Sequence, residues 1–223
     1  MLPSRTRTRL GATVVASALL LAAGCSTGGE DAVPYSQLFD GVTYKGEPVI
    51  PAPPEEMEEM LEAFLASEGE GNQEQLDPPE CAELYSNQGL EFDLENLSLE
   101  TAAFGAAKPD NFSVKVYNKD VYLNPEAKKT PQDDPELAEA CQDFSVTSKQ
   151  GTIDIHVEPI PFTGNSDRGY AHKQVTKSDD MEFESFYTAA WKNDAFVTLY
   201  LWAVDQESID AGFETLNMIL ERL

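Results

Sequence analysis

Basic side chains are scarce in this chain: 15 Lys and Arg face 40 Asp and Glu, a net charge of −25 at pH 7. Three of the bases, Arg5, Arg7 and Arg9, lie in the first 24 residues, so from Cys25 onward the balance is 12 against 40, or −28. Such a surface repels phosphate backbones and anionic head groups, which excludes nucleic acid and polybasic-type membrane contact. Histidine is almost missing, with only His156 and His172. No GxSxG, SxxK, HExxH, P-loop or EF-hand pattern occurs, so no motif announces a nucleophile, a zinc site or a nucleotide cradle. Cysteine is limited to Cys25, Cys81 and Cys141, none of them in CxxC spacing, which removes the common redox and zinc patterns. No apolar run reaches the roughly 20 residues a membrane span needs. We therefore expect no cofactor, no metal site and no catalytic residue.

What is present at the start is an export signal. Arg5, Arg7 and Arg9 precede an apolar run from Leu10 to Ala23, broken by Gly11, Thr13 and Ser17 and closed by Ala22-Ala23-Gly24-Cys25. That is a basic region, a short apolar region and a small-residue cleavage site. The segment resembles the lipobox of bacterial lipoproteins, with Ala22 where leucine is commoner. The resemblance implies that residues 1–24 are removed and that Cys25 carries a diacylglyceryl group. Two acyl chains anchor stably, because each buried methylene contributes about 0.8 kcal/mol. The expected location is therefore the cell membrane, lipid-anchored, on its extracytoplasmic face.

Charge then marks a boundary. Between Ser26 and Glu80 there are 14 acids and one base, Lys45. Residues 25–54 read as an acidic flexible tether, with a reach of about 30 Å for a flexible chain of that length. Residues 55–76 read as an amphipathic helix and linker. Met57, Met60, Leu61, Phe64 and Leu65 recur at helical spacing, with Glu55 and Glu56 at the helix start. Residues 77–223 are long enough for a core of their own.

Within that stretch the periodicity changes to strands. Thr101 to Ala106 reads as a strand of small residues. Phe112, Val114 and Val116 alternate with polar neighbours, as do Ile153, Ile155 and Val157. Pro135 to Asp143 reads as a short helix. Tyr170 to Lys177 is polar on both sides and reads as an edge strand. Met181–Trp191 and Ala195–Val204 form a hairpin across Lys192-Asn193-Asp194. The second of these is apolar on both faces, which places it centrally in the sheet with a cover on each side. Ile209, Phe213, Leu216, Leu220 and Leu223 supply one cover, on a helix capped by Asp205. The fold class expected is α+β: a twisted antiparallel sheet of about five to six strands, backed by helices, with a C-terminal amphipathic helix.

An exported chain with one even cysteine pair most often joins it, so Cys81 and Cys141 are expected to form a disulfide. Pro78-Pro79-Glu80-Cys81, then Cys141 on a second helix, then a strand-rich stretch with Trp191 and Trp202 and a terminal amphipathic helix, resemble the extracellular sensor domain of mycobacterial receptor-type serine/threonine kinases and related actinobacterial lipoproteins. The resemblance spans roughly residues 77–223 and departs from those domains in having one cysteine pair instead of two. It implies a ligand-sensing or ligand-binding module without catalysis and transfers no functional residue.

Three functions are weighed on these residues. The first is a non-catalytic envelope lipoprotein, sensing a ligand or serving a complex at the outer face of the cytoplasmic membrane. The second is a lipid carrier whose doubly apolar strands line a cavity. The third is a hydrolase of cell-wall or lipid substrates using His172; a Ser166, Asp167, His172 triad can be imagined, but nothing in the spacing supports it. Partners expected are the membrane through Cys25, and an envelope protein, small ligand or lipid. The loop from Thr163 to Gly169 is polar and rich in glycine, and loops on a rigid sheet concentrate binding residues. Arg168, Tyr170 and His172 are therefore read as a recognition patch, its charge changing near pH 6 to 7 if His172 is exposed. Asp133-Asp134 and Asp179-Asp180 are read as solvated loop charge.

Overall fold

Asn193 adopts the left-handed conformation, φ +52°, and turns one long strand directly into the next. These two strands form the centre of a sheet in the computed structural model, which describes residues 33–53, 55–57, 59, 75–85, 93, 96, 98, 100–122, 129–148, 151–178 and 181–223. The strands are β1 (Thr43–Tyr44), β2 (Glu47–Pro48), β3 (Ile50–Pro51), β4 (Gln75–Asp77), β5 (Ala102–Ala107), β6 (Phe112–Asn118), β7 (Asp143–Ser148), β8 (Gly151–Ile160), β9 (Arg168–Lys177), β10 (Glu182–Lys192) and β11 (Ala195–Leu201). The helices are α1 (Ala82–Tyr85), α2 (Pro135–Ala140) and α3 (Gln206–Leu220). β1 and β2 make a small ribbon, and the other nine strands form one antiparallel sheet in the order β3-β5-β6-β11-β10-β9-β8-β7-β4. The α+β class holds, with more strands than the five to six expected: the short edge strands β3 and β4 carry no alternation to read, and β7 follows directly on the helix expected to reach Asp143.

One face of the sheet holds the main core. Val197, Leu199 and Leu201 of β11 and Phe186 and Ala190 of β10 pack under α3 through Ile209, Phe213, Leu216, Ile219 and Leu220. Asp205 caps that helix by accepting from Ser208 N at 3.0 Å, as its sequence position predicts.

The same core contains Leu38, Phe39, Val42, Tyr44 and Val49. This corrects the tether: residues from 35 to 53 are part of the folded body and supply β1, β2 and β3. The apolar residues there are too widely spaced to show a period, yet each is buried. Gly105 makes room for them, since a Cβ at this position would lie 2.7 Å from Val49 Cγ1 and 3.0 Å from the Phe39 ring. The compact unit accordingly begins at Ala32 and runs to the C-terminus, not at residue 77.

The second face is covered unevenly. Over β7 and β8 lies a cluster of Leu76, Cys81, Leu84, Ala138, Cys141, Phe144 and Val157. The Cys81–Cys141 disulfide, with Cα atoms 5.5 Å apart, joins α1 to the end of α2 there. Met57 sits on Ala102 and Phe104; residues 55–57 and 59 are helical, 75–76 belong to β4, and residues 58 and 60–74 of the expected helix and linker lie outside the described residues. So do Cys25 and Asp179-Asp180.

Tyr170–Lys177 is not an edge strand. As part of β9 it lies between β10 and β8, paired to both along its length. Its polar side chains are tolerated inside the sheet because they meet one another and aromatic rings: Gln174 donates to Thr176 Oγ1 at 2.9 Å, and His172 faces Tyr187 at 5.3 Å between ring centres.

Candidate functional site

Strand register places every second residue on the second face and so decides which groups meet. Arg168, Tyr170 and His172 do share that face of β9, opposite Trp191, Ala189 and Tyr187 of β10. They do not form a surface patch. Tyr170 and His172 are 4% and 5% exposed, inside an aromatic cluster with Tyr122, Trp191 and Phe196. The Tyr170 and His172 rings lie 6.0 Å apart and nearly parallel, and Tyr85 of α1 meets His172 edge-on at 5.8 Å. A buried His172 cannot act as the exposed charge switch expected from the sequence. Burial raises the Tyr85 and Tyr187 hydroxyls to about 12 and lifts Tyr170 well above its ordinary value, desolvation again the largest cause. These phenols stay neutral.

Arg168 is fixed rather than free. Its guanidinium lies 4.9 Å from the Trp191 ring centre and bonds the Asp133 carboxylate. Burial would raise the Asp133 carboxyl, but hydrogen bonds from Thr130 and Arg168 outweigh it and hold the group below the usual range. Asp134 caps α2 by accepting from Leu137 N at 3.1 Å. The Asp133-Asp134 pair thus anchors a loop, as solvated or capping charge does. The imagined triad is dispersed: Ser166 Oγ donates to the Arg168 carbonyl at 2.9 Å, and Asp167 accepts from the Asn193 N–H at 2.9 Å.

Three other constellations emerge that no motif signals. A groove of about 580 Å³ on the α3 side of the sheet is lined by Asp77, Asp143, Asp154, His156, Lys177 and Glu182 among others. Its His156 Nδ1 is 2.7 Å from Asp143, and Lys177 is 3.4 Å from Glu182. Among the described residues no group of three or more His, Cys, Asp or Glu has metal-binding geometry.

A second constellation joins Tyr44, Lys45, Asp110 and Ser208. Asp110 accepts from Tyr44 OH at 2.5 Å and pairs with Lys45 at 2.7 Å, and Lys45 also donates to Ser208 Oγ at 2.7 Å. Lys45, Asp110 and Asn111 all have φ between +45° and +57°, a strained conformation held by this network. A Ser–Lys contact invites comparison with a nucleophile and base. Here the lysine is held cationic, its pKa raised chiefly by the hydrogen bond to Asp110, and Ser208 is fully buried, so the network ties the β5–β6 turn to the start of α3.

The third is the open part of the second face. Ile50, Ala106, Ser113, Tyr200 and Tyr187 fall in one row across β3, β5, β6, β11 and β10. Beside it, Phe104, Lys115 and Thr198 form the next row. Trp202 follows Tyr200 by two residues and stacks on Phe183 at 5.9 Å. Trp202 is 57% exposed, Phe183 37% and Ile50 59%. Of the two covers expected for the last strand, α3 is complete and, among the described residues, the other reaches Phe196, with Met57 over Phe104 on the β5 side. Sequence alternation shows which residues share this face but not which stretch of it stays uncovered.

No known family profile matches the chain, and no curated protein matches it. The similar solved structures include two mycobacterial proteins. One is an uncharacterized Mycobacterium smegmatis protein, the Rv0999 ortholog, at 12% identity and a TM-score of 0.49, over 86% of this chain and 97% of that one. The other is the extracellular domain of PknH from Mycobacterium tuberculosis, at 12% identity and a TM-score of 0.38, over 67% of this chain and 79% of that one. At these values neither likeness assigns this chain a function.

Proposed function

We propose that the chain is a non-catalytic binding or sensing module, held by a lipid on Cys25 at the outer face of the cytoplasmic membrane, where it serves a ligand or an envelope complex. The observation that supports binding is the open part of the second sheet face, where Ile50, Phe183 and Trp202 stand in water on a rigid support. Grouped apolar side chains left exposed mark interaction surfaces. The rigidity has a visible source in the nine-stranded sheet and the Cys81–Cys141 clamp.

Supporting the anchor is the Ala22-Ala23-Gly24-Cys25 segment; among the described residues no helix is long and apolar enough to cross a membrane. Because the folded body starts near residue 33, only about eight residues separate it from Cys25, a reach of at most about 28 Å. The module therefore works close to the bilayer surface rather than at the end of a long leash.

The test is fractionation of wild type and Cys25→Ala after carbonate washing, together with a panel of ester and glycan substrates. Wild type stays with the membrane, the variant is released, and neither turns over any substrate. A Cys25→Ala protein that still resists carbonate removes the lipoprotein reading, and turnover of a substrate removes the non-catalytic one.

A further inference from the structure

We propose that the open part of the second sheet face binds a monomeric amphipathic anion, an acyl chain ending in a carboxylate, with Lys115 holding the head group and Tyr200, Trp202 and Phe183 lining the chain. This deepens the binding reading above and rests on it.

The argument starts from Lys115. Five of the ten described Lys and Arg hold a carboxylate: Lys45 has Asp110, Lys119 has Asp194, Lys129 has Glu83, Arg168 has Asp133 and Lys177 has Glu182. Lys115 makes no ion pair or hydrogen bond among the described residues, and its Nζ lies 6.0 Å over the Phe104 ring. Its flanking positions in register are Phe104 and Thr198, and the residues two away on its own strand are Ser113 and Tyr117. None of these is acidic, nor are Ile50, Ala106, Tyr200, Trp202 or Phe183 on the same face. Among the described strand residues of this sheet area none is a carboxylate, and a lysine stands among them. Apolar neighbours partly desolvate that lysine, although it keeps contact with water, and this lowers its pKa. A partly desolvated ammonium gains more from an incoming carboxylate than a fully hydrated one, because less water must be displaced.

The shape favours a chain over a protein surface. From Lys115 the apolar track runs through Tyr200 to Trp202 and Phe183. Strand spacing and rise put its length at about 20 Å. It is narrow, a row or two of side chains, whereas a protein partner of ordinary affinity buries about 800 Å² on each side. Stacked aromatic rings on a flat sheet give such a chain dispersion contacts along its length.

Equilibrium dialysis of the soluble Cys25→Ala full chain at pH 7.5 and low salt tests this, with labelled dodecanoate against dodecyltrimethylammonium below their micelle concentrations. The acidic protein as a whole favours the cation, so preference for the anion has to come from the site. Saturable one-to-one binding of dodecanoate is expected, at least five-fold tighter than the cation and weakened at least five-fold by Lys115→Gln and by Trp202→Ser. Lys115 and Trp202 are both exposed, so both variants should keep the wild-type unfolding midpoint. The proposal is overturned by absent dodecanoate binding, by a cation that binds as tightly, or by a Lys115→Gln change smaller than five-fold. Those outcomes leave the membrane and turnover results of the binding reading untouched.

Discussion

Removing the Cys81–Cys141 bond should be the most damaging two-atom change available to the folded body. The bond spans 60 residues, and closing a loop of that size restricts the unfolded chain by about 4 kcal/mol in the chain-entropy model. Both cysteines are fully buried, within a cluster that joins α1, α2, β4, β7 and β8 and contains Leu76, Leu84, Ala138, Phe144 and Val157. Replacing the two sulfurs with the hydrogens of Cys81→Ala and Cys141→Ala adds a further packing loss of about 1 kcal/mol or more. Against a total stability of about 5–15 kcal/mol this is a large share. With a urea slope of about 2–3 kcal/mol/M for a domain of this size, the midpoint should fall by about 1.5–2.5 M. The measurement is urea unfolding of oxidised, reduced and doubly substituted protein, followed by far-ultraviolet circular dichroism. The reduced form keeps both sulfurs, so the substituted form should unfold about 0.3–0.5 M below it. Midpoints for all three within about 0.3 M would refute the reasoning, as would free thiols detected in the unreduced native protein.

Two further outcomes follow from local geometry. Gly169→Ala should lower stability by about 1–3 kcal/mol, because an added Cβ would meet the Phe162 ring at 2.3 Å and overpacking carries a cost of that order; Phe162 packs edge-on against Phe213 of α3, so thermal unfolding should show the loss, and an unchanged midpoint would mean the ring moves aside freely. Asp110→Asn should flatten the acid limb of the stability profile: burial raises the Asp110 carboxyl, but hydrogen bonds from Lys45 and Tyr44 outweigh it and leave its pKa below 3.8, so the wild-type contribution is complete above about pH 4 and is lost as pH falls through the depressed value. Unfolding midpoints between pH 2 and 6 that run parallel in the two proteins would count against that network.

The legible parts of this protein were those governed by local periodicity. Ile153, Ile155 and Val157 alternate, Ile209 to Leu220 repeat at helical spacing, and Lys192-Asn193-Asp194 turns back on itself; the structure has β8, α3 and the β10–β11 hairpin at those places. Local chemistry was enough for the Asp205 cap, and the parity of cysteines in an exported chain was enough for the bond. Composition alone set the strong negative charge, −25, which needs no fold.

What only the tertiary structure decided was which surfaces meet. Residues 35 to 53 look like a tether because Leu38, Phe39, Val42 and Val49 have no period, yet they find partners on β5 and α3 that are far away in the chain. Polar Tyr170–Lys177 looks like an edge, because its polarity says nothing about Tyr85 and Tyr187 arriving to cover His172. Lys115 and Trp202 are 87 residues apart, yet Lys115 on β6 comes near Trp202, just past the end of β11, because β6 pairs with β11. Burial and site geometry are set by long-range contacts that the pattern of a single strand does not encode. The sequence states what each residue can do, and the β6–β11 pairing decides that Lys115 does it beside Tyr200 and Trp202.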